Sequence, residues 1–132
     1  MKDNTMDNAE IAKALFAALA GNDAAAVRRL CAPEMHVVQN GAAPMSLEML
    51  LKFNVAVHKV VAGFGYSDAV RSVTATGFVE EHAVSGTLAG GAALHLLVCV
   101  VAEVEGGRIT RVREYFDSAS AAPLVAALSR PT

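Results

Sequence analysis

Tryptophan is absent from this chain, and aromatic residues of every kind make up only 5% of it. Stacking platforms for nucleic-acid bases are therefore missing. Charge is also scarce: Asp, Glu, Lys and Arg together reach 18%, and the net charge is −2 without a basic run. Both shortages argue against nucleic acid as a partner. Cysteine is limited to Cys31, near the end of a helical pattern, and Cys99, among apolar residues. Two reduced, buried thiols are expected rather than a disulfide. The four histidines lack close paired spacing, so no metal site is expected. No glycine-rich loop precedes a helix; Gly90-Gly91 and Gly106-Gly107 fall between strand patterns, so no organic cofactor is implied. The segment Met1–Asn8 has no apolar run, and the uncharged stretch 84–102 is broken by Gly86, Gly90, Gly91 and His95. Neither a signal peptide nor a membrane span is expected, and the cytoplasm is the default location.

What the chain has in excess is apolar surface, at 54% of its 132 residues. That length suits a single domain spanning 1–132, with residues 1–6 frayed. The excess points to a greasy pocket, a subunit interface, or both.

Asp7 or Asn8 can cap a helix in which Ile11, Leu15 and Leu19 recur at helical spacing, ending at Gly21. Asn22-Asp23 caps a second, shorter helix, and Pro33 breaks that pattern. Residues 36–40 read as a short strand. Ser46 caps a third helix running to about Ala62, stopped by Gly63 and Gly65. Strands are then expected over 69–76, 78–88, 94–103 and 108–117, with a short helix over 118–129. Helices followed by a run of strands make an α+β layout, with helices on one face of a curved sheet. The strand 94–103 is apolar on both faces, and a second copy of the sheet is the simplest cover for the outer one.

The final strand carries the residue of greatest interest. Alternation puts Thr110, Val112, Glu114 and Phe116 on one face, and Ile109, Arg111, Arg113 and Tyr115 on the other. A carboxylate on the apolar face is costly unless compensated. Glu114 either has a partner, is kept protonated, or faces a ligand cavity. On the strand 78–88 the same alternation groups Phe78, Glu80, His82, Val84 and Gly86. If the two faces meet, His82 and Glu114 come within hydrogen-bond reach. Such a pair is an acid/base unit, a purely structural pair, or, if the faces do not meet, no pair at all. Asn40 either orients a water or carbonyl, or serves as the turn residue before Gly41. His36 is expected to be exposed, His58 at the edge of the core, His95 at a surface or subunit contact, and Tyr115 packed with its hydroxyl exposed.

The segments Ala-Leu-Ala-Gly-Asn-Asp, Val-Gln-Asn, Val-Glu-Glu-His and Gly-Gly-Arg-Ile-Thr-Arg-Val-Arg-Glu-Tyr-Phe-Asp resemble the nuclear-transport-factor-2-like superfamily. Within it the chain is most similar to the SnoaL-like polyketide cyclase and limonene-epoxide hydrolase group. The resemblance implies a cone-shaped curved antiparallel sheet wrapped around helices, closed into an α+β barrel with a deep pocket, and a homodimer through the outer sheet face. It also implies a small apolar or polycyclic ligand. Relative to the epoxide hydrolases, Asn40 stands at the water-holding Asn, Val38 at the Tyr, His82 at the Arg, Val84 at the water-activating Asp and Glu114 at the last Asp. A valine cannot take a proton from water, so that mechanism does not carry over. Relative to the SnoaL-like cyclases, Glu114 falls at the acid/base Asp. Relative to the ketosteroid isomerases, Asn40 lies near the base and cannot serve as one.

The expected catalytic set is therefore Glu114, His82 and Asn40. The expected ligand-binding set is Phe16, Val38, Phe53, Val84, Leu96, Val98, Val112 and Phe116. Leu50 belongs with them as a cavity candidate, and plain core is the competing role for about half of these apolar residues. The function implied is a small-molecule enzyme using acid/base catalysis in an apolar pocket, of the SnoaL-like cyclase/isomerase or epoxide-hydrolase kind. The alternative is a non-catalytic ligand-binding or dimeric interaction domain of the same fold.

Overall fold

The computed structural model describes residues 6–130. Helices α1 (Asn8–Ala20) and α2 (Ala24–Leu30) come first, followed by strands β1 (Cys31–Gln39) and β2 (Met45–Ser46) and helix α3 (Leu47–Val60). Strands β3 (Val61–Val73), β4 (Gly77–Leu88), β5 (Ala93–Glu105) and β6 (Arg108–Phe116) then lead to helix α4 (Ser118–Leu128). Asp7 opens α1 through a capping box with Glu10, and Ser46 opens α3 by accepting from the Met49 N–H.

The six strands form one sheet in the order β2-β1-β6-β5-β4-β3. From β3 to β6 the pairing is antiparallel, as expected, but β1 runs parallel to β6. The sheet is mixed, and its two ends do not meet, so it is an open α+β sheet rather than a closed barrel.

Local backbone irregularities account for the other departures from simple alternation. Pro33 lies inside β1, where the register with β6 shifts between Cys31 and His36, a place where a missing N–H is tolerated. Gly63 does not end a turn after α3. The helix stops at Val60, the strand begins at Val61, and Gly63, at φ 67°, sits in a register shift between Ala62 and Gly65. A Cβ on Gly86 would lie 2.4 Å from the Val61 side chain, so glycine there lets β3 close onto β4. On β6 a shift opposite Glu103/Val104 turns Ile109 inward, where it is fully buried, while Val112, Glu114 and Phe116 keep the inner face. Strict alternation had placed Ile109 outside.

Helices α1 and α3 pack on the inner face, and Ile11, Leu15, Met35, Val37, Phe78 and Val100 form the centre of the core. On β5 the alternation is clean: Leu94, Leu96, Val98, Val100 and Ala102 point in, while His95 and Leu97 are exposed. Cys31 is buried, and burial pushes its thiol pKa up to about 11. Cys99 is only partly buried, because it lies on the outer side of β5. Among the described residues no helix is long and apolar enough to cross a membrane.

The parallel β1–β6 pairing ends on Asn40. This residue is exposed and left-handed, at φ 49°. Its N–H donates to the Glu114 carbonyl at 2.8 Å. Its side-chain amide donates to the Phe116 carbonyl and accepts from the Phe116 N–H, both at 3.0 Å. The amide thus substitutes for one more residue of strand and fixes the end of β6 against β1. Asn40→Ala removes both side-chain bonds and places a Cβ-bearing residue with no compensating amide in the left-handed region. The expected loss is about 1–3 kcal/mol of stability, read as a lower urea midpoint with an unchanged slope. Asn40→Gly, which relieves the backbone term, is expected to lose less.

Candidate functional site

The inner sheet face, α3 and α4 line a partly open cavity of about 170 Å³. Its walls are mostly apolar. Helix α3 contributes Leu50, Phe53 and Val57, and α4 contributes Ala121, Leu124, Val125 and Leu128. From the sheet come Phe64, Val84, Leu96, Val98 and Phe116. Five polar side chains also reach it: Gln39, Asn54, Tyr66, His82 and Glu114. Leu50, Phe53, Val84, Leu96, Val98, Phe116, His82 and Glu114, all candidates from the sequence, thus line the cavity.

Four expected residues do not line the cavity. Asn40 lies one residue past the inward Gln39 and is committed to the Phe116 backbone, so it has no amide to offer a ligand. Val38 is out of phase: Met35 and Val37 are buried, Gln39 continues their face, and Val38 points the other way. Val112 points inward but is core. Phe16 is buried behind the cavity wall, with its ring edge against His82 at 4.7 Å and Tyr66 at 5.1 Å between centroids.

His82 and Glu114 both reach the cavity, but no hydrogen bond joins them. Glu114 accepts from the side-chain amide of Gln39 at 2.8 Å, its neighbour across the parallel pairing. Its partial exposure is to the cavity it lines. Burial raises its pKa above the ordinary carboxylate range, opposed less strongly by the Gln39 hydrogen bond and by attraction to His82. No Lys or Arg side chain is within ion-pair distance of it among the described residues.

His82 instead belongs to a second buried unit. Its Nδ1 lies 2.6 Å from Oε2 of Glu80, two residues back on the same face of β4. The other oxygen, Oε1, accepts from Nε of Arg71 at 2.7 Å and lies 2.6 Å from a terminal guanidinium nitrogen. Arg71 and Glu80 face each other across β3 and β4. Glu80 and His82 are nearly inaccessible, while 24% of the Arg71 side chain is exposed. The line Arg71–Glu80–His82 therefore runs from the surface to the cavity wall.

Tyr66 was not anticipated. It pairs with Val84 across β3–β4 and sets its ring 4.6 Å from that of His82. Burial, then the nearby Glu114, then Glu80 raise its pKa, so its phenol stays protonated and is a hydrogen-bond donor. Asn54 is bound to the Leu19 carbonyl at 3.0 Å, and His58 approaches the same carbonyl at 2.8 Å. Both therefore tie α3 to α1. His36 is half-buried, His95 is exposed on the outer face, and Tyr115 is about half exposed there. No group of three or more His, Cys, Asp or Glu that could hold a metal occurs among the described residues.

Chemically, the cavity brings together a carboxyl group that readily holds a proton, a phenol that donates, and an imidazole anchored at one nitrogen. That is equipment for moving a proton and for holding an oxygen while it happens.

No family model and no curated protein sequence matches the chain. Solved structures do. A hypothetical protein with a ketosteroid isomerase-like fold from Catenulispora acidiphila, in complex with trimethylamine, is 18% identical with a TM-score of 0.77, covering 95% of this chain and 100% of that one. A structure from Jannaschia sp. CCS1 assigned as a SnoaL-like polyketide cyclase is 15% identical with a TM-score of 0.78, covering 99% and 98%. An LEH-like epoxide hydrolase from M. tuberculosis is 17% identical with a TM-score of 0.72, covering both chains fully. At these identities the likeness speaks for architecture, and the chain has the nuclear-transport-factor-2-like fold common to ketosteroid isomerase-like, SnoaL-like and LEH-like proteins.

Proposed function

We propose that this protein is a small-molecule enzyme that transfers a proton at a carbon next to a carbonyl, with Glu114 as the proton-handling group. The observation that carries this reading is the placement of Glu114: a carboxyl with no Lys or Arg partner among the described residues, on the wall of an apolar cavity, with a raised pKa. A base tuned upward toward neutrality is what such a reaction needs. Tyr66 supplies the donor for the oxygen on which charge develops, and His82 is the second polar contact. Asn40, expected to take part, is replaced in this scheme by Gln39, which holds Glu114 by one oxygen and leaves the other for the substrate.

The cavity also bears on the substrate. An apolar cavity of ~150 Å³ holds a benzene-sized molecule, and drug-sized ligands occupy roughly 300 Å³ or more. At about 170 Å³ the site suits a single ring with one or two small substituents. A fused polycycle needs more room, so within the expected small apolar or polycyclic ligands this volume favours the small end, a single-ring apolar ketone. A cyclase or isomerase acting on such a ring fits the scheme. Epoxide hydrolysis fits it less well, because Val84 lines the cavity where a second carboxylate would be needed.

We also propose that the protein is a homodimer through the outer sheet face. Val70 and Leu97 are 63% and 68% exposed there, and Tyr115, Cys99 and Val101 are at least partly exposed beside them. Such a face is costly to leave in water.

Three outcomes are expected. Incubated in D₂O with a panel of single-ring ketones, the protein exchanges the protons beside the carbonyl, followed by proton NMR. Glu114→Gln lowers that exchange by about a hundredfold or more with ligand affinity retained. Binding without exchange across the panel would make it a ligand-binding domain instead. The second outcome concerns pH. With its pKa raised in the folded state, Glu114 contributes stability that is fully present below the ordinary carboxylate range and is lost as pH rises through the folded value. Glu114→Gln lacks that loss. Its melting temperature should gain on wild type as pH rises from 4 and then level off, and a flat difference would contradict the raised pKa. The third is assembly: light scattering at micromolar concentration should give two subunits, and Leu97→Glu should give one.

A further inference from the structure

We infer that Glu80, held by Arg71, is a positioning residue that fixes His82 in the tautomer with its proton on Nδ1, so that Nε2 faces the cavity as a hydrogen-bond acceptor. The inference deepens the acid/base reading above and rests on it for its chemical consequence, though not for its geometry.

The argument is one of hydrogen-bond accounting. Arg71 has only donors, and it occupies Oε1 of Glu80. Paired with that guanidinium, Glu80 is a carboxylate, whose oxygens only accept, and the atom facing Oε2 at 2.6 Å is Nδ1 of His82. That nitrogen must carry the proton. In a neutral imidazole the other nitrogen is then bare. A free imidazole in water prefers the opposite arrangement, so the preference here is imposed by Glu80. The ring is also clamped: Phe16 lies edge-on at 4.7 Å and Tyr66 tilted at 4.6 Å. Among the described residues Nε2 has no hydrogen-bond partner, and no buried polar side-chain atom is left unsatisfied. Nε2 is therefore not completely covered, although the His82 side chain is only 1% exposed, and the cavity that His82 lines is the space it meets.

The cavity then presents an acceptor at His82 beside a donor at Tyr66. A ligand that satisfies both carries a proton-bearing group next to an oxygen acceptor, as an enol or an α-hydroxyketone does. Glu114 remains the group that gains and loses the proton at carbon, and the imidazole receives or returns the one at oxygen. Nothing is consumed: each proton that leaves the ligand resides on Glu114 or Nε2 and goes back to it. Glu80 touches no ligand and acts only through the ring it orients.

The amide analogue makes a sharp test. In Glu80→Gln, Arg71 continues to donate to the amide oxygen, which leaves the NH₂ facing Nδ1. Nδ1 must then be the bare nitrogen, and the proton moves to Nε2. Nitrogen-15 NMR of the full chain, followed from acid to alkaline pH, reports which nitrogen is bare once the ring is neutral. Wild type should show a bare Nε2 and a protonated Nδ1 in slow exchange with water. Glu80→Gln should show the reverse, and Glu114→Gln should look like wild type. A wild-type spectrum with the proton on Nε2 overturns the inference, and so does a Glu80→Gln spectrum that matches wild type. If Glu80→Gln does not fold, the wild-type spectrum decides by itself. Turnover plays no part in this readout, so a failure of the Glu114 reading appears only in the exchange assay and is separable from a failure here.

Discussion

Two carboxyl groups are buried on the inner face of the sheet, and the rest of the molecule depends on their being compensated differently. Taking an ionised carboxylate out of water is costly unless a cation and hydrogen bonds answer it. Glu80 has Arg71 on one oxygen and His82 on the other. Glu114 has one amide and an apolar surround. The first arrangement stays in place and gives rigidity. The second favours a neutral acid. Two residues of one chemical type differ in what answers their charge.

Much of this could be read from the amino-acid order. The α+β layout, the last three strands and the inward acid at Glu114 follow from apolar periodicity and paired glycines, which report directly on local backbone, whereas β3 begins at Val61 and not at residue 69. The cavity-facing residues of β4 and β5 follow for the same reason, because those strands pair without a register shift and alternation holds along them. It fails where the register shifts. Ile109 was placed outside because a bulge on β6 adds one residue. Phe64 and Tyr66 were missed because Gly63 and Gly65 look like a turn, although they sit in a bulged strand. The parity of β1 had a usable signal that was passed over: Met35 and Val37 are in phase with Gln39, not with Asn40. The spacing of Glu80 and His82 also implied a shared face, but not that Arg71 would cross from β3 to occupy Glu80. That contact is made by tertiary structure.

The apolar surplus is likewise divided. Part of it builds the core beneath α1 and α3. Another part lines the cavity, where α4 supplies four side chains from the far end of the sequence. The remainder lies on the outer face of β5 and its neighbours, where Leu97 and Val70 have no cover within one chain. The low charge content is consistent with this division, since few surfaces are left to be purely polar.

The parallel pairing of β1 with β6 has a consequence for how the chain reaches this structure. Gln39 and Glu114 are joined across 75 positions of sequence, whereas β3 to β6 pair with their immediate successors. Closing a long loop costs entropy before any contact repays it, so local hairpins form readily and distant partners come together late. The meander of four strands can therefore assemble while the first strand is still unattached. In that interval Glu114 stands at an unpaired edge with water around it. Its raised pKa belongs to the complete fold, whose burial is the largest cause of the shift.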